Sequence, residues 1–290
     1  MNSTDNIYLF GDGFDFSREL TKKVNPNNFY THIHTVYEFY YFISGKGIFH
    51  IEGTDYKLTP GDILIMADTE SHYVEISPDV PYERCVMQFD KKIIDRVDKE
   101  GKLLNAFTNR EPGQNNLFTR KDFDNNLYLS LINNFFARES LDDVHVLTNF
   151  YALLNELSKA FSNKEANKNS SSGTLPNKII HYISNNLSQP FTLDDICREF
   201  FISKAYLCRL FKNSIGCSVL QYITSKRMIL ANKLIDSGLK PTEVYTKCGF
   251  YDYSSFYRVY KKYYQYSPSE RKEYLNDPKN NELKLNANYK

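Results

Sequence analysis

The sequence of 290 residues lacks the long apolar runs that membrane proteins need. No stretch approaches the roughly 18 consecutive apolar residues that mark a transmembrane helix, so we expect no membrane partner. The N-terminus, MNSTDNIYLFGDGFDFS, has no basic segment followed by an apolar run. We therefore expect no secretory signal and a cytoplasmic location.

Cysteine is scarce, and the motifs of common enzymes are missing. The chain contains no G-x-S-x-G, P-loop, dinucleotide fingerprint or H-E-x-x-H sequence, so we expect it not to be an enzyme. The odd number of cysteines and the lack of a C-x-x-C pair favour free thiols in a reducing cytosol. These cysteines are Cys85, Cys197, Cys208, Cys217 and Cys248.

The net charge of +1 conceals an uneven distribution. Residues 176–290 contain 18 Lys and Arg against 10 Asp and Glu, whereas residues 1–175 contain 18 against 25. A basic C-terminal part beside an acidic N-terminal part favours contact with a polyanion at one end only. The alternative is a chance distribution of charge over two solvated surfaces.

A change in composition divides the chain. Residues 163–175 are rich in Asn, Ser and Lys and offer almost nothing to bury, which is typical of a flexible linker. We predict an N-terminal domain over residues 1–162, this linker over 163–175, a C-terminal domain over 176–275 and a polar tail over 276–290.

The N-terminal domain combines strand and helix signals. Residues 29–89 contain many short strand-like segments, with a hairpin signal at Gly53-Thr54 and a turn at Pro60-Gly61. This spacing predicts a small β-barrel or sandwich. Over residues 122–161 the apolar period becomes helical and predicts two amphipathic helices. They either pack on the barrel of their own chain or supply the interface of a homodimer.

The C-terminal domain begins with a helix-turn-helix pattern. Thr192 to Asp195 resembles a capping box that starts one helix, and Ser203 is a good N-cap for a second. The second helix would end at Gly216. Two helices separated by a turn of about three residues have the spacing of the DNA-binding helix-turn-helix.

A weak repeat follows 49 residues later, where DYSSFYRVYKKY from Asp252 aligns with SKAYLCRLFKNS from Ser203. Packing does not require matched outward charges, whereas a helix in a major groove uses Arg for base edges and Lys for phosphates. Residues 218–237 indicate one long helix that would hold the two units apart. The alternative is a helical bundle with a solvated basic face. The matched outward charges are Arg209 with Arg258 and Lys212 with Lys261.

Residues 176–268, about a third of the chain, resemble the AraC/XylS family of transcription regulators. Departures occur at Tyr245, Gln265 and Arg271, where the family usually has Ala, Gly and an aromatic residue, and they indicate local repacking of the second unit. The matching positions are Ser203, Leu207, Arg209, Phe211-Lys212, Gly216, Tyr222, Arg227, Ala231, Leu234, Gly249-Phe250, Asp252, Phe256, Arg258, Lys261-Lys262 and Ser267-Pro268.

The resemblance implies double-stranded DNA as the partner, contacted by the exposed positions of the second helix of each unit. Ala205 and Cys208 are short, so Arg209 should carry most of the polar base reading in the first unit. The lysines are better placed for phosphates, and we interpret Arg227 as structural. The DNA contacts assigned in this way are Ser203, Lys204, Ala205, Cys208, Arg209, Lys212, Tyr253, Ser254, Tyr257, Arg258, Lys261 and Lys262.

Residues 1–89 resemble, more loosely, the cupin-type sensor domain that many of these regulators carry. The pieces that carry this resemblance are His32-Ile33-His34, Glu38, Gly45, Gly47, Pro60-Gly61-Asp62 and His72. Three imidazoles and a carboxylate at this spacing are typical of a metal-binding cupin that holds Fe, Mn, Ni or Zn. Against a metal, Ala67, Thr69 and Ile76 stand where the second cupin motif usually has Pro, Gly and Asn.

Sensor cupins of this kind commonly keep such histidines without a metal, so we expect no metal and no cofactor. We assign effector binding instead to His32, His34, Glu38, Tyr41 and His72. The many tyrosines and a carboxylate would suit a sugar, which the family makes plausible as the effector.

The resulting hypothesis is an α+β protein with a cupin-like β-barrel and a helical pair, followed by an all-α domain with two helix-turn-helix motifs. It would be a sequence-specific transcription regulator controlled by a small molecule, with RNA polymerase as a further partner if it activates. The alternative is a metal-dependent cupin enzyme fused to a DNA-binding domain.

Overall fold

Nine strands build the N-terminal domain within the residues that the computed structural model describes, which are 7–10, 13–25, 28–124, 126–135, 143–166 and 174–276. They are β1 (Ile7–Phe10), β2 (Phe14–Thr21), β3 (Tyr37–Ser44), β4 (Gly47–Ile51), β5 (Thr54–Lys57), β6 (Ile63–Met66), β7 (His72–Ile76), β8 (Tyr82–Phe89) and β9 (Leu117–Phe118).

The strands form two antiparallel sheets that face each other. One has the order β1-β2-β8-β3-β6-β9 and the other has the order β5-β4-β7. Aromatic and aliphatic side chains from both sheets, including Tyr40, Phe42, Phe49 and Tyr82, form the core between them. The small β-domain predicted from strand spacing is therefore present, with β1, β2 and β9 added to the strands that the pattern indicated.

The predicted hairpin joins β4 to β5, with its turn one residue earlier than the sequence suggested. Its central residues, Glu52 and Gly53, have φ angles of 48° and 76°. Two left-handed central residues give the turn a twist that matches the flanking strands. A non-glycine residue in this conformation is uncommon, so Glu52 is held there by other contacts.

Strands β3, β6 and β8 carry apolar side chains on both faces, because one face points into the barrel and the other is covered by helices. Alternate residues such as Phe39 and Met87 point away from the barrel into a second core, which is shared with the helices. These helices are α1 (Lys91–Asp95), α2 (Asn105–Thr108), α3 (Leu127–Asn134) and α4 (Asp143–Ala166). The predicted helical pair thus packs on the barrel of its own chain, and residues 136–142 between its members lie outside the described residues.

Seven helices form the C-terminal domain: α5 (Leu175–Asn186), α6 (Leu193–Glu199), α7 (Lys204–Ile215), α8 (Val219–Asp236), α9 (Pro241–Lys247), α10 (Tyr253–Tyr264) and α11 (Arg271–Asn276). Helix α8 contributes to two separate cores. Tyr222 and Ile229 pack with α5, α6 and α7, whereas Met228 and Ala231 pack with α9 and α10. This is the long helix that was predicted to hold two units apart.

The helices that flank the predicted linker extend into it. Helix α4 continues to Ala166, and α5 starts at Leu175 behind the N-cap Thr174. Residues 167–173 of the predicted linker and residues 277–290 of the predicted tail lie outside the described residues. Among the described helices, none combines the length and apolar character needed to cross a bilayer.

The two recognition units end in the same backbone conformation with different residues. Gly216 closes α7 with φ 80°, and Gln265, 49 residues later, closes α10 with φ 66°. An L-residue in this region places its Cβ close to the following carbonyl oxygen, at a cost of roughly 1–2 kcal/mol. The departure from the family's usual Gly therefore leaves local strain at the end of α10.

Gln265→Gly is expected to raise the free energy of unfolding by about 0.5–1 kcal/mol, because Gly adopts this conformation without strain but has more freedom in the unfolded chain. Denaturant titration of the full chain measures the change. Gln265→Ala keeps the Cβ and is the matched control, which should not be stabilised. A glycine variant less stable than the wild type would contradict the prediction.

Candidate DNA interface and sensor site

The first helix-turn-helix has the caps that its sequence predicted. Thr192 and Asp195 form a capping box at the start of α6. The side chain of Ser203 accepts a hydrogen bond from the backbone N–H of Tyr206, at 3.2 Å, and so starts α7. Between the helices Phe201 takes a left-handed φ of 54°, which turns the chain sharply. The pattern of helix, tight turn and helix is confirmed.

Helix α7 divides into a buried and an exposed face. Leu207 and Phe211 have none of their surface exposed and anchor the helix in the core of the first unit. The six side chains assigned to DNA contact all lie on exposed positions: Ser203, Lys204, Ala205, Cys208, Arg209 and Lys212. The structure thus presents this predicted set together on one accessible surface.

Arg209 is the least restrained cation of this surface. Its guanidinium lies 5.8 Å from the ring centre of Tyr206, and no carboxylate within the described residues pairs with it. Lys204 pairs with Asp194 at 2.8 Å, and the Nζ of Lys212 donates to the carbonyl of Gly216 at 3.2 Å. The exposed Tyr206 was not among the residues assigned from the sequence. Its position outside the apolar period of α7 nevertheless predicts a side chain that points outward.

The second unit has the same order of helix, turn and helix as the first, with a longer turn. Asp252 caps α10 by accepting from the N–H of Ser255 at 2.7 Å. Five residues separate α9 from α10, against four between α6 and α7. The assigned residues Ser254, Arg258, Lys261 and Lys262 are exposed, whereas Tyr253 and Tyr257 are half-buried. The exposed Tyr251 in the turn was not predicted.

The departures from the family pattern are accommodated by new contacts. Tyr245 packs edge-on against Tyr253, with ring centres 6.1 Å apart, which helps to explain why Tyr253 is half-buried. Arg271 forms a two-pronged ion pair with Asp236 at the end of α8, with N–O distances of 2.7 and 2.6 Å. The second unit is therefore repacked around a tyrosine and an ion pair.

Arg227 has a structural position, away from the two recognition surfaces. Its guanidinium donates to the carbonyl of Gln189 at 2.9 Å and lies over the rings of Phe191 and Phe250. A Cβ at Gly249 would approach this guanidinium to 2.7 Å, so the turn of the second unit needs glycine there. Arg227 thus connects α8 to the α5–α6 loop and to the turn of the second unit.

Inside the barrel, four of the five residues assigned to effector binding meet. The ligand atoms of His32, His34, Glu38 and His72 all lie within 4.8 Å of one another. His34, Glu38 and His72 are each at most 4% exposed. Tyr41 lies on the opposite face of β3, packed against the core under the helices, because strand residues alternate between faces. The structure therefore does not bring Tyr41 to this cluster.

The carboxylate and the imidazoles of this cluster have pKa values shifted by their surroundings. Burial raises the pKa of Glu38, but the hydrogen bond from His34 and the three neighbouring imidazoles outweigh it and hold this pKa well below its usual range. Burial lowers the pKa of His72 far below its ordinary value, and burial with the proximity of His34 lowers that of His32. An ionised carboxylate therefore faces at least two neutral imidazoles at neutral pH.

A cavity of about 380 Å³ opens between the barrel and the C-terminal domain. Its walls combine charged groups with apolar side chains of α8. They include Asp68, Glu70, Arg110, Ile229 and Lys233. None of the five residues assigned to effector binding lines this cavity.

A buried carboxylate joins the two domains. Glu52, in the β4–β5 turn, accepts hydrogen bonds from Lys226 at 2.5 Å and from the hydroxyl of Tyr222 at 2.6 Å, both on α8. The N–H of Ser71 donates to the same carboxylate at 2.8 Å. Lys226 also donates to the carbonyl of Thr69. Neither Glu52 nor Lys226 was singled out from the sequence, since nothing local links residues 174 positions apart.

Further contacts surround this ion pair. The hydroxyl of Thr31 donates to the carbonyl of Ile215 at 3.0 Å, and Ile33 is part of the core of the first unit. Lys233 on α8 pairs with Asp68 at 2.6 Å. A Cβ on Gly216 would approach the Thr31 hydroxyl to 2.1 Å, so the end of α7 fits closely against the barrel.

Comparison with known families assigns both halves of the chain. The profile of the AraC-like ligand binding domain matches residues 25–170, half of the chain, and a helix-turn-helix domain profile matches residues 196–273. The chain belongs to the AraC family of transcription regulators. It is therefore a DNA-binding regulator with a ligand-binding domain, and this does not favour the alternative of a cupin enzyme.

Curated proteins and solved structures match this chain over most of its length or over part of it. The Msm operon regulatory protein of Streptococcus mutans is 25% identical over 83% of this chain and 86% of its own length. The transcriptional regulatory protein HptR of Staphylococcus aureus is 31% identical over 32% of this chain and 37% of its own. The crystal structure of fatty-acid-bound ToxT from Vibrio cholerae, 16% identical, covers 91% of this chain and 96% of its own, with a TM-score of 0.38.

In this AraC-family protein, Lys226→Met is expected to cost about 3 kcal/mol of stability, because it leaves the Glu52 carboxylate buried without its cation. Glu52→Gln in the same chain should remove most of that penalty. Denaturant unfolding of the wild type, both single variants and the double variant measures the coupling. Strictly additive losses would show that the two groups do not interact.

Proposed function

We propose that this regulator reads an asymmetric operator with α7 and α10 in successive major grooves, and that a small molecule bound to the N-terminal domain controls this binding. The observation that carries the proposal is the repeated exposed surface, in which Arg209 and Arg258 occupy equivalent positions on two separately packed units. Successive grooves on one face of DNA are about 34 Å apart, so one chain would protect roughly 20 base pairs.

Helix α8 supports this arrangement because it belongs to both cores. Residues at its start pack in the first unit and residues in its second half pack in the second. A single helix that fills two cores fixes the distance and angle between two recognition helices. Two fixed helices read two short sequences at a defined spacing, which gives a longer and more specific site than either alone.

The exposed cations of α7 differ in shape and position, so they suit different parts of the DNA. Arg209 is free of ion pairs within the described residues, and its planar fork can grip a guanine with two hydrogen bonds. Lys212 lies at the end of α7 as a flexible point charge, which is better suited to a phosphate. The two residues should therefore contribute differently to specificity and to general affinity.

Arg209→Ala should cost roughly 1–3 kcal/mol of discrimination between a selected operator and a scrambled duplex. Lys212→Ala should weaken both duplexes about equally and reduce the salt dependence by about one ion. Both variants are titrated at several salt concentrations on a sequence that the wild type selects from a random pool. If Arg209→Ala weakens both duplexes equally, Arg209 contacts the DNA backbone.

The cavity between the barrel and α8 is suited to an organic effector. Its volume of about 380 Å³ lies within the range of small-molecule sites, and its walls mix charged and apolar groups. A sugar would find a hydrogen-bond acceptor in Asp68 and an apolar surface in Ile229. We propose a sugar or similar polyol here, next to the histidine cluster, since Thr69 of the cavity wall donates to the carbonyl of His34.

His34→Ala or Glu38→Ala should abolish the response to effector in a reporter driven by the selected operator, while the response of His50→Ala is retained. His50 lies in the same domain, bonded to Asp55 and outside the cluster, and so controls for general damage. The measurement is reporter output across a panel of sugars. Normal induction in both cluster variants would disprove a role of the cluster in sensing.

A homodimer through the N-terminal domain and a contact with RNA polymerase remain predictions. The packing of α3 and α4 on their own barrel accounts for the apolar faces that suggested a dimer interface.

A further inference from the structure

The spacing of the four side chains in the histidine cluster is close to that of a metal site. The Oε2 atom of Glu38 is 2.9 Å from Nε2 of His34 and 3.9 Å from Nε2 of His72. In a tetrahedral zinc site with bonds of about 2.0–2.1 Å, the ligand atoms stand roughly 3.3 Å apart. The two measured separations bracket this value, and all four ligand atoms lie within 4.8 Å of one another, so the wider pairs would move closer on binding an ion.

A hydrogen bond at Nδ1 fixes the orientation of each of the three imidazole rings. The Nδ1 atoms of His32, His34 and His72 lie 3.1, 2.9 and 2.9 Å from the backbone carbonyl oxygens of Tyr30, Val36 and Glu70. A carbonyl can only accept, so each Nδ1 carries a proton and each Nε2 faces the cluster. The Nε2 of His34 donates to Glu38 and would release this proton on binding an ion. Metal-binding histidines are fixed in this way by outer-shell carbonyls.

One of these nitrogens lacks a partner. The Nε2 of His72 is buried and accepts or donates no hydrogen bond within the described residues. A buried polar atom in this state is destabilising, because it has lost its hydrogen bond to water and gained no other. Glu38 is also held in place, because the side-chain amide of Gln88 donates to its Oε2 at 2.6 Å. An ion at the centre would give this nitrogen a partner.

We propose that His32, His34, Glu38 and His72 bind one divalent transition-metal ion, best matched by zinc, and that its presence is transmitted to the DNA-binding domain. This replaces the expectation of no metal. Three imidazole nitrogens and one carboxylate suit zinc or a neighbouring metal better than calcium or magnesium, which prefer all-oxygen ligands. None of the four side chains lines the cavity of about 380 Å³, so an ion in the cluster would leave that cavity to an organic molecule.

The departures from the second cupin motif do not remove a ligand. Ala67 and Thr69 lie in the loop between β6 and β7, Ile76 ends β7, and none of them belongs to the four convergent side chains. Thr69 adopts a φ of 97°, the left-handed conformation that a glycine would take there. The loop therefore keeps its course, at the cost of strain in a β-branched residue.

The residues between the ligands contact the DNA-binding domain. Thr31 and Ile33 alternate with His32 and His34, and they reach Ile215 and the core of the first unit. On the other segment, the N–H of Thr69 donates to the carbonyl of His34 and its carbonyl accepts from Lys226 of α8. His32 and His72 also exchange both backbone hydrogen bonds, at 3.0 Å each. An ion that draws the ligands together would therefore shift the groups that hold α7 and α8.

The transmission of metal binding to the DNA-binding domain rests on the proposed function, whereas metal binding itself does not. The two are therefore measured separately. Metal binding is measured on the full chain without DNA, and its transmission is measured with DNA.

Chelator-treated full-length protein is titrated with zinc alone against a chromophoric chelator, and bound metal is counted by mass spectrometry. We expect one equivalent in the wild type and in the control His50→Gln. In His72→Gln, affinity should fall by more than about 100-fold, since even the loss of an outer-shell partner typically costs 10–100-fold. Binding well below one equivalent in the wild type, or equal binding in His72→Gln, would overturn the site.

A spectroscopic measurement keeps the test decisive if His72→Gln fails to fold. Cobalt(II) added to the wild type should produce the intense visible bands of a four-coordinate ion at one equivalent, and zinc should remove them. A spectrum that stays like that of hydrated cobalt overturns the proposal.

Transmission is tested by comparing metal-free and zinc-loaded protein on DNA that the full chain selects from a random pool. We expect operator affinity to differ at least fivefold between the two states, the lower end of typical coupling between sites. Lys226→Met should still bind zinc but lose this difference. Zinc binding with unchanged operator affinity overturns the transmission step. If no sequence is selected in either state, the proposed function fails, while the zinc titration still decides the site.

Discussion

The arrangement of the two domains depends on one buried carboxylate. The side chain of Glu52 has none of its surface exposed and is surrounded by Lys226, Tyr222 and the N–H of Ser71. A charge in this position is tolerable only while its partners stay in place, because an unpaired buried ion is strongly destabilising. The two domains therefore have a preferred docked arrangement, and anything that moves Glu52 or Lys226 changes the free energy of docking.

This interaction lies between the parts that read DNA and the parts that sense. Helix α8 carries Lys226 and fills the cores of both helix-turn-helix units, so its position sets the positions of α7 and α10. The segment from Thr69 to His72 accepts the bond from Lys226 and also supplies a member of the histidine cluster. The histidine cluster and the helix-turn-helix units are thus connected through two short backbone segments and one helix, and this connection is the route by which the proposed coupling would act.

Much of the fold follows from local patterns. The caps at Thr192, Ser203 and Asp252 and the apolar period of α7 predicted the helix-turn-helix units, because capping and amphipathicity depend on residues a few positions apart. Strand β3 does not show the alternation of apolar and polar residues that marks a strand with one solvated face, because apolar side chains lie on both of its faces. The pattern within a strand cannot reveal that a helix pair covers its second face.

The sequence by itself determined the AraC-type DNA-binding domain, the β-rich sensor domain and the residues His32, His34, Glu38 and His72 as a set, since each rests on spacing within a short stretch or on residue chemistry. Tertiary structure alone decided that Tyr41 faces away from that set and that Glu52 pairs with Lys226. It also decided that the cavity lies between the domains. These features depend on contacts between segments that are distant in the sequence and that come together when both domains bury their apolar faces. No local pattern of residues predicts such contacts.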